Sequence, residues 1–305
     1  MLRALLGAAL LWCAAAAPAW GGAPLAVVTT STDLKSLVEA VGGDRVRVEA
    51  LAPPLHDPHA VEVKPGQIAA LRGATLLVKV GLDHEPWLAG LLQTVGDPRF
   101  LPGGPNVLDC SKGIDLLQAE TARVRPGSGE HVHGFGNTHY WLDPENARPI
   151  TAAILEALAR LAPGERSNFA SRRGDFLKRL DEGIARWTRA LGPFRDTRVV
   201  VFHESWPYFA RRFGLQIVAA VEPAPGVPPS PAYLSSLTKQ MKEANVRLLI
   251  AEPYSSAALV TRVASLSGAR AVTLVPSVGG APEARDYIAL FDLDVERLTQ
   301  ALSAR

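Results

Sequence analysis

Seven histidines stand in this chain, and three of them occupy places where an imidazole could coordinate a metal. His59 closes the run Leu55-His56-Asp57-Pro58-His59. His139 lies within Asn137-Thr138-His139-Tyr140-Trp141-Leu142-Asp143-Pro144, directly ahead of a helical pattern. His203 follows the apolar run Arg198-Val199-Val200-Val201-Phe202, and Glu252 holds the matching place after Arg247-Leu248-Leu249-Ile250-Ala251. Three neutral imidazoles and one carboxylate make a four-coordinate set suited to zinc, with Zn–N distances of about 2.0–2.1 Å. Taken singly, each histidine is as well explained as a cap, a surface hydrogen-bonding group or a packing residue. The chemistry exists only if the fold brings them to one point.

The elements that would have to do so alternate between strand and helix. Strand-like apolar runs cover residues 25–30, 46–51 and 75–80 in the first half, with helical stretches at 33–41, 64–71 and 85–92. In the second half, strands are predicted at 198–202, 216–221, 247–251 and 271–275, and helices at 206–213, 231–243, 256–266 and 285–302. This alternation predicts an α/β fold of two lobes, each a mostly parallel sheet flanked by helices and each with its own core. In open parallel sheets ligands collect outside the carboxyl ends of the strands, which is where His203 and Glu252 are placed. Between the halves the texture changes. Residues 144–161 are amphipathic and Ala-rich, and residues 165–191 carry Phe169, Phe176, Leu177, Leu180, Ile184, Trp187 and Leu191 along one helical stripe. Gly192-Pro193 ends it. A rigid helix joining the two lobes is expected there, dividing the chain into 24–164, 165–191 and 194–305.

The chain of 305 residues is 48% hydrophobic and 20% charged, long enough for two lobes and too apolar for disorder. Its 32 basic and 30 acidic residues nearly cancel, and no basic run with interleaved aromatics exists, which argues against a nucleic-acid partner. At the N-terminus Arg3 precedes an apolar run ending in Ala17-Pro18-Ala19, the parts of a secretory signal peptide over residues 1–19. Trp12 stands before Cys13 where a small residue is wanted, so lipid anchoring is not expected. Cleavage would leave Cys110 alone, with no internal disulfide available.

Three segments resemble the zinc/manganese solute-binding proteins of ABC importers, in the zinc-binding branch. They are Asp57-Pro58-His59 followed by Lys64-Pro65, the stretch from Asn137 to Pro144, and the stretch from His203 through Trp206-Pro207 to Leu215. The segments 81–87, Glu222-Pro223 and Ala251-Glu252-Pro253 are also similar to recurring family segments. The resemblance implies two α/β lobes joined by a long helix, with His59 and His139 as metal ligands from the first lobe and His203 from the second. It implies a periplasmic monomer that captures Zn(II), less readily Mn(II), and delivers it to an ABC permease in the inner membrane. A histidine in the third place points to zinc, since imidazole suits zinc and oxygen-rich sets suit manganese.

One departure matters. The family supplies an aspartate after the last strand of the second lobe, whereas here the stretch from Thr273 to Gly280 holds no carboxylate, and Asp286 lies farther on in an expected helix. Glu252 is the candidate substitute, its other role being to anchor loop amides; Glu204, beside His203, is expected to point away. His131 and His133, in the loop-like residues 125–136, either hold metal transiently or belong to a solvent-exposed linker. Asp143 either orients a ligating imidazole or caps the next helix, and the Asp-Pro pair favours the cap. An open fourth position keeps a rival function in play: a secreted zinc hydrolase with Glu252 or Glu204 as base, although no His-Glu-x-x-His signature is present. An adhesin on the same fold is a third reading.

Overall fold

The computed structural model describes residues 23–118, 136–224 and 226–304. The expected leader over residues 1–19, Cys13, His131 and His133 lie outside the described residues. Strands β1 (Leu25–Thr29), β2 (Val46–Ala50), β3 (Leu76–Lys79) and β4 (Val107–Asp109) form one parallel sheet in the order β2-β1-β3-β4. Strands β5 (Arg198–Val201), β6 (Gln216–Ala220), β7 (Leu248–Ala251) and β8 (Arg270–Thr273) form a second in the order β6-β5-β7-β8. Every pairing in both sheets is parallel. Helices α1 (Thr32–Gly42), α2 (Pro65–Arg72) and α3 (Leu88–Val95) cross between or follow the strands of the first sheet; α6 (Pro207–Phe213), α7 (Pro231–Glu243), α8 (Ala257–Ser267) and α9 (Tyr287–Ser303) do so in the second.

Between the sheets run α4 (Ala147–Leu161) and α5 (Arg166–Leu191), the latter 26 residues long. The α5 stripe buries Phe169, Phe176, Leu180, Trp187 and Leu191, and each large apolar side chain so buried contributes ~1.5–3 kcal/mol. That stripe lies against α1 and α4 on one side and α9 on the other. The consequence corrects the expectation of separate cores. One apolar cluster runs without interruption from Leu34, Leu37 and Val41 of α1 through α5 to Leu290, Phe291 and Leu298 of α9. Among the described residues, the outer faces of the sheets keep clusters of their own, around Leu77, Leu88 and Leu91 in the first half and Leu234, Leu249 and Val263 in the second.

Polar bonds reinforce the joint. Trp141 Nε1–H donates to the Pro276 carbonyl at 2.9 Å, Tyr287 donates its hydroxyl to the Trp141 carbonyl, and Tyr208 donates to the Asn137 carbonyl at 3.0 Å. Asp143 caps the turn at Pro144–Asn146 by accepting from the Glu145 amide, and Arg212 of α6 grips both of its oxygens at 2.7 and 3.0 Å. The residue is thus a cap and a cross-lobe anchor. Among the described residues no helix is long and apolar enough to cross a membrane.

Asp33, in the first turn of α1, is wholly buried and accepts the Val278 amide at 2.9 Å from the second half; its Oδ2 has no partner. Burial pushes its pKa from the ordinary 3.8 to about 7, against the pull of bonds from Val278, Ser277 and Ser31. Because the folded chain holds this proton more tightly than the unfolded chain, stability falls as pH rises between about 4 and about 7. Asp33→Asn, which mimics the protonated form, should flatten that slope; urea midpoints at pH 5 and pH 7 measure it, and an unchanged difference between them would show that Asp33 does not titrate in this range.

Candidate metal centre

Each candidate ligand is delivered by a strand end or by a segment pinned to one. His59 sits in the connection after β2, where Asp57 Oδ1 accepts the His59 amide at 2.9 Å and the Pro58 carbonyl accepts Trp87 Nε1–H at 2.8 Å. His139 precedes the short turn Tyr140–Leu142, and its amide donates to Asn137 Oδ1 at 3.0 Å while Asn137 Nδ2–H donates to the Glu204 carbonyl across the lobes. His203 leaves the end of β5 and is buried.

The fold gathers these three. One ligating atom from each of His59, His139 and His203 lies within 4.8 Å of the other two. The His59 and His139 Nε2 atoms are 3.3 Å apart, close to the ~3.3 Å edge of a tetrahedron whose centre lies 2.0–2.1 Å from each nitrogen. The outer nitrogens are held from behind. His59 Nδ1 meets the His84 carbonyl at 2.9 Å, which makes it the protonated nitrogen and leaves Nε2 its lone pair. His203 Nδ1 meets Glu222 Oε2 at 2.8 Å, and its Nε2 is buried without a hydrogen-bond partner. A buried imidazole lone pair with a carboxylate behind the ring is the arrangement by which proteins present histidine to a metal.

Glu252, expected as the fourth ligand, stands outside that group. Its Oε1 accepts Trp206 Nε1–H at 2.8 Å and its Oε2 accepts the Ser255 hydroxyl at 2.9 Å, while Ser255 Oγ accepts the Glu252 amide at 3.0 Å. The carboxylate is engaged in fixing its own loop, the alternative role its position allowed. Glu204 is exposed. Asp286 caps α9 by accepting the Ile288 and Ala289 amides. His56 is exposed in the connection before His59.

Two residues that sequence reasoning passed over belong to the site. Glu222, at the end of β6, supports His203. His84, in the loop after β3, places its ring 4.4 Å from that of His59 and 5.3 Å from that of His139. Both follow strand carboxyl ends, the signal that selected His203 and Glu252. Beside the imidazoles opens a cleft of about 270 Å³ lined by Asp57, His203, Glu222, Glu252 and Tyr254. Its charge is negative. Burial works to lower the His203 pKa, but the bond from Glu222 and the charges of Glu252, Glu222 and Asp57 outweigh it and leave the pKa raised. Burial likewise raises Glu252, opposed by His203 and by its bonds to Trp206 and Ser255.

A sequence profile of the zinc-uptake complex component A periplasmic family, ZnuA, matches residues 27–301. The chain belongs to that family. Relatives of ZnuA type include the high-affinity zinc uptake system protein ZnuA of Yersinia pestis, 27% identical over 270 residues and covering 85% of each chain. The ZnuA of Bacillus subtilis is 25% identical over 288 residues, covering 92% of this chain and 88% of the relative. A crystal structure of ZnuA superposes with a TM-score of 0.76 at 28% identity, spanning 92% of this chain and all of the other. FpvC of Pseudomonas aeruginosa, solved with Mn2+, shares the fold with a TM-score of 0.77 at 23% identity.

In this ZnuA-family chain the Glu222 carboxylate is the group that orients His203. Glu222→Gln should lower divalent-metal affinity by roughly 10–100-fold, as loss of a carboxylate behind a ligating histidine does elsewhere. Competition titration against a chromogenic chelator measures it, with apo-protein melting as the check on folding; an affinity equal to that of the parent would show that the carboxylate is dispensable.

Proposed function

We propose that this protein captures Zn(II) between its lobes, through Nε2 of His59, His139 and His203, and hands it to an ABC permease. The observation that carries the reading is the convergence of one ring nitrogen from each of three histidines, from both halves of the chain, within 4.8 Å. An all-imidazole set favours zinc over manganese, which prefers oxygen. Mn(II) is the weaker cargo on the same ligands. Glu252 contributes charge beside the ion and rigidity to its loop, with its oxygens already engaged. Support for transport comes from the family and from relatives whose names specify zinc uptake.

In this reading residues 1–19 are a leader that directs the chain to the periplasm without a lipid anchor. Residues 24–164 and 194–305 are the lobes, with 165–191 between them, and the mature protein acts as a monomer. The same reading makes it a carrier and not an enzyme, supported by the family and by Glu252, whose oxygens are engaged by Trp206 and Ser255.

Replacing any one of His59, His139 or His203 by alanine should weaken zinc binding by on the order of 100-fold or more, beyond the loss expected from a supporting residue. Isothermal titration against a competing chelator provides the measurement, and near-parental affinity in any of the three variants would remove that residue from the ligand set. Metal analysis of protein isolated from its native compartment, expected to return one zinc per chain, tests the cargo itself.

The pH dependence has a fixed sign. Zinc requires the neutral imidazole, so protons compete with it. The raised pKa of His203 means that this competition begins at higher pH than for an ordinary imidazole near ~6.5. Affinity should therefore be full at alkaline pH and fall steadily as pH drops through neutrality. A flat affinity from pH 8 to pH 5 would exclude histidine ligation.

A further inference from the structure

The ring of His84 belongs to the same cluster as the three histidines already described. Its centroid lies 4.4 Å from that of His59 and 5.3 Å from that of His139, distances comparable to the 5.2 Å between His59 and His139 themselves. The side chain is 1% exposed and stands edge-on to Trp141 at 5.0 Å. Its Nδ1 meets Thr138 Oγ1 at 2.9 Å, on the residue next to His139, and its Nε2 is buried. One nitrogen is thus held by a neighbour and the other kept from water, the same treatment that His203 receives.

The backbone beneath it is unusual. Gly81, Leu82 and Asp83 have φ values of 83°, 58° and 56°, three consecutive residues in the left-handed region. For Leu82 and Asp83 that conformation costs energy and persists only where surrounding contacts impose it. Glu85 imposes it: its carboxylate accepts the Val80 amide at 2.7 Å, the Gly81 amide at 3.2 Å and the Thr30 hydroxyl at 2.5 Å. The turn so clamped presents the His84 carbonyl to His59 Nδ1 and the His84 ring to the cluster.

We propose that His84 is a fourth imidazole ligand, closing on the ion through Nε2 when metal binds. The inference rests on the zinc-capture reading above. The His84 nitrogens lie outside the 4.8 Å group formed by the other three, so binding draws the ring inward by a small displacement. Four imidazoles then complete a tetrahedron of ~2.0–2.1 Å Zn–N bonds. No fourth oxygen from Glu252 is needed.

X-ray absorption at the zinc edge counts imidazoles from their outer-shell scattering. Three zinc-loaded samples decide the matter: the full mature chain, His84→Leu, and the double variant His131→Ala/His133→Ala. The expected counts are four, three and four, with His84→Leu losing affinity on the order of 100-fold, more than a merely supporting residue would. Three imidazoles and an oxygen in the parent chain would overturn the role of His84 while leaving zinc capture by the other three intact, whether or not His84→Leu folds. Four imidazoles retained in His84→Leu, or three in the double variant, would overturn it equally. A zinc shell without histidine would instead sink the capture reading on which the inference stands.

Discussion

The structure is organised around one demand: imidazole lone pairs that originate in opposite halves of the chain must face a single point with their nitrogens about a tetrahedral edge apart. Such an arrangement tolerates little play, because Zn–N bonds hold to within about 0.2 Å. The uninterrupted core through α5, the bond from Trp141 to Pro276, that from Tyr287 to Trp141 and the grip of Arg212 on Asp143 all act on the seam where these lone pairs meet. The segment bearing His139 is fastened to the second half through Asn137 and Tyr208. Ligand geometry here is a property of the joint between the lobes more than of either lobe.

Charge is arranged with the same division between near and far. The atoms that can reach an ion are neutral nitrogens, whereas the carboxylates stand one bond behind or beside them: Glu222 on His203, Glu252 on Trp206 and Ser255, Asp57 on the amide of His59. Negative charge at that remove stabilises a dication without satisfying its coordination, and it makes the adjoining cleft attractive to cations before any ligand is touched.

Much of this was readable from the chain. The βα alternation, the long helix with its apolar stripe, and the placing of His203 and Glu252 beyond strand ends follow from periodicity and from the rule for parallel sheets. What escaped did so for local reasons. Strand β4 has only three residues and follows the Pro102-Gly103-Gly104-Pro105 stretch, so it carries too little pattern to register. Helix α3 starts at Leu88 where 85 was expected, since Glu85 turns inward to hold the strand-end amides and cannot open a helix. The unbroken core could not be read because an apolar stripe announces burial without naming its partner. His84 and Glu222 went unread because a single histidine or glutamate after a strand is commonplace until its neighbours are known.

The two sheets share one strand order, so positions beyond their strand ends correspond in pairs. The connection after β2 carries His59 and that after β6 carries Glu222; the turn after β3 carries His84 and that after β7 carries Glu252. At each pair one lobe offers an imidazole and its counterpart an acid. Seen from the seam, imidazoles predominate on the first wall and acids on the second, with His203 standing among the acids and Asp57 among the imidazoles. To an incoming dication the two flanks are therefore inequivalent: the second draws it in with most of the charge, the first supplies most of the nitrogens, and His203 is the bonding group set on the attracting side.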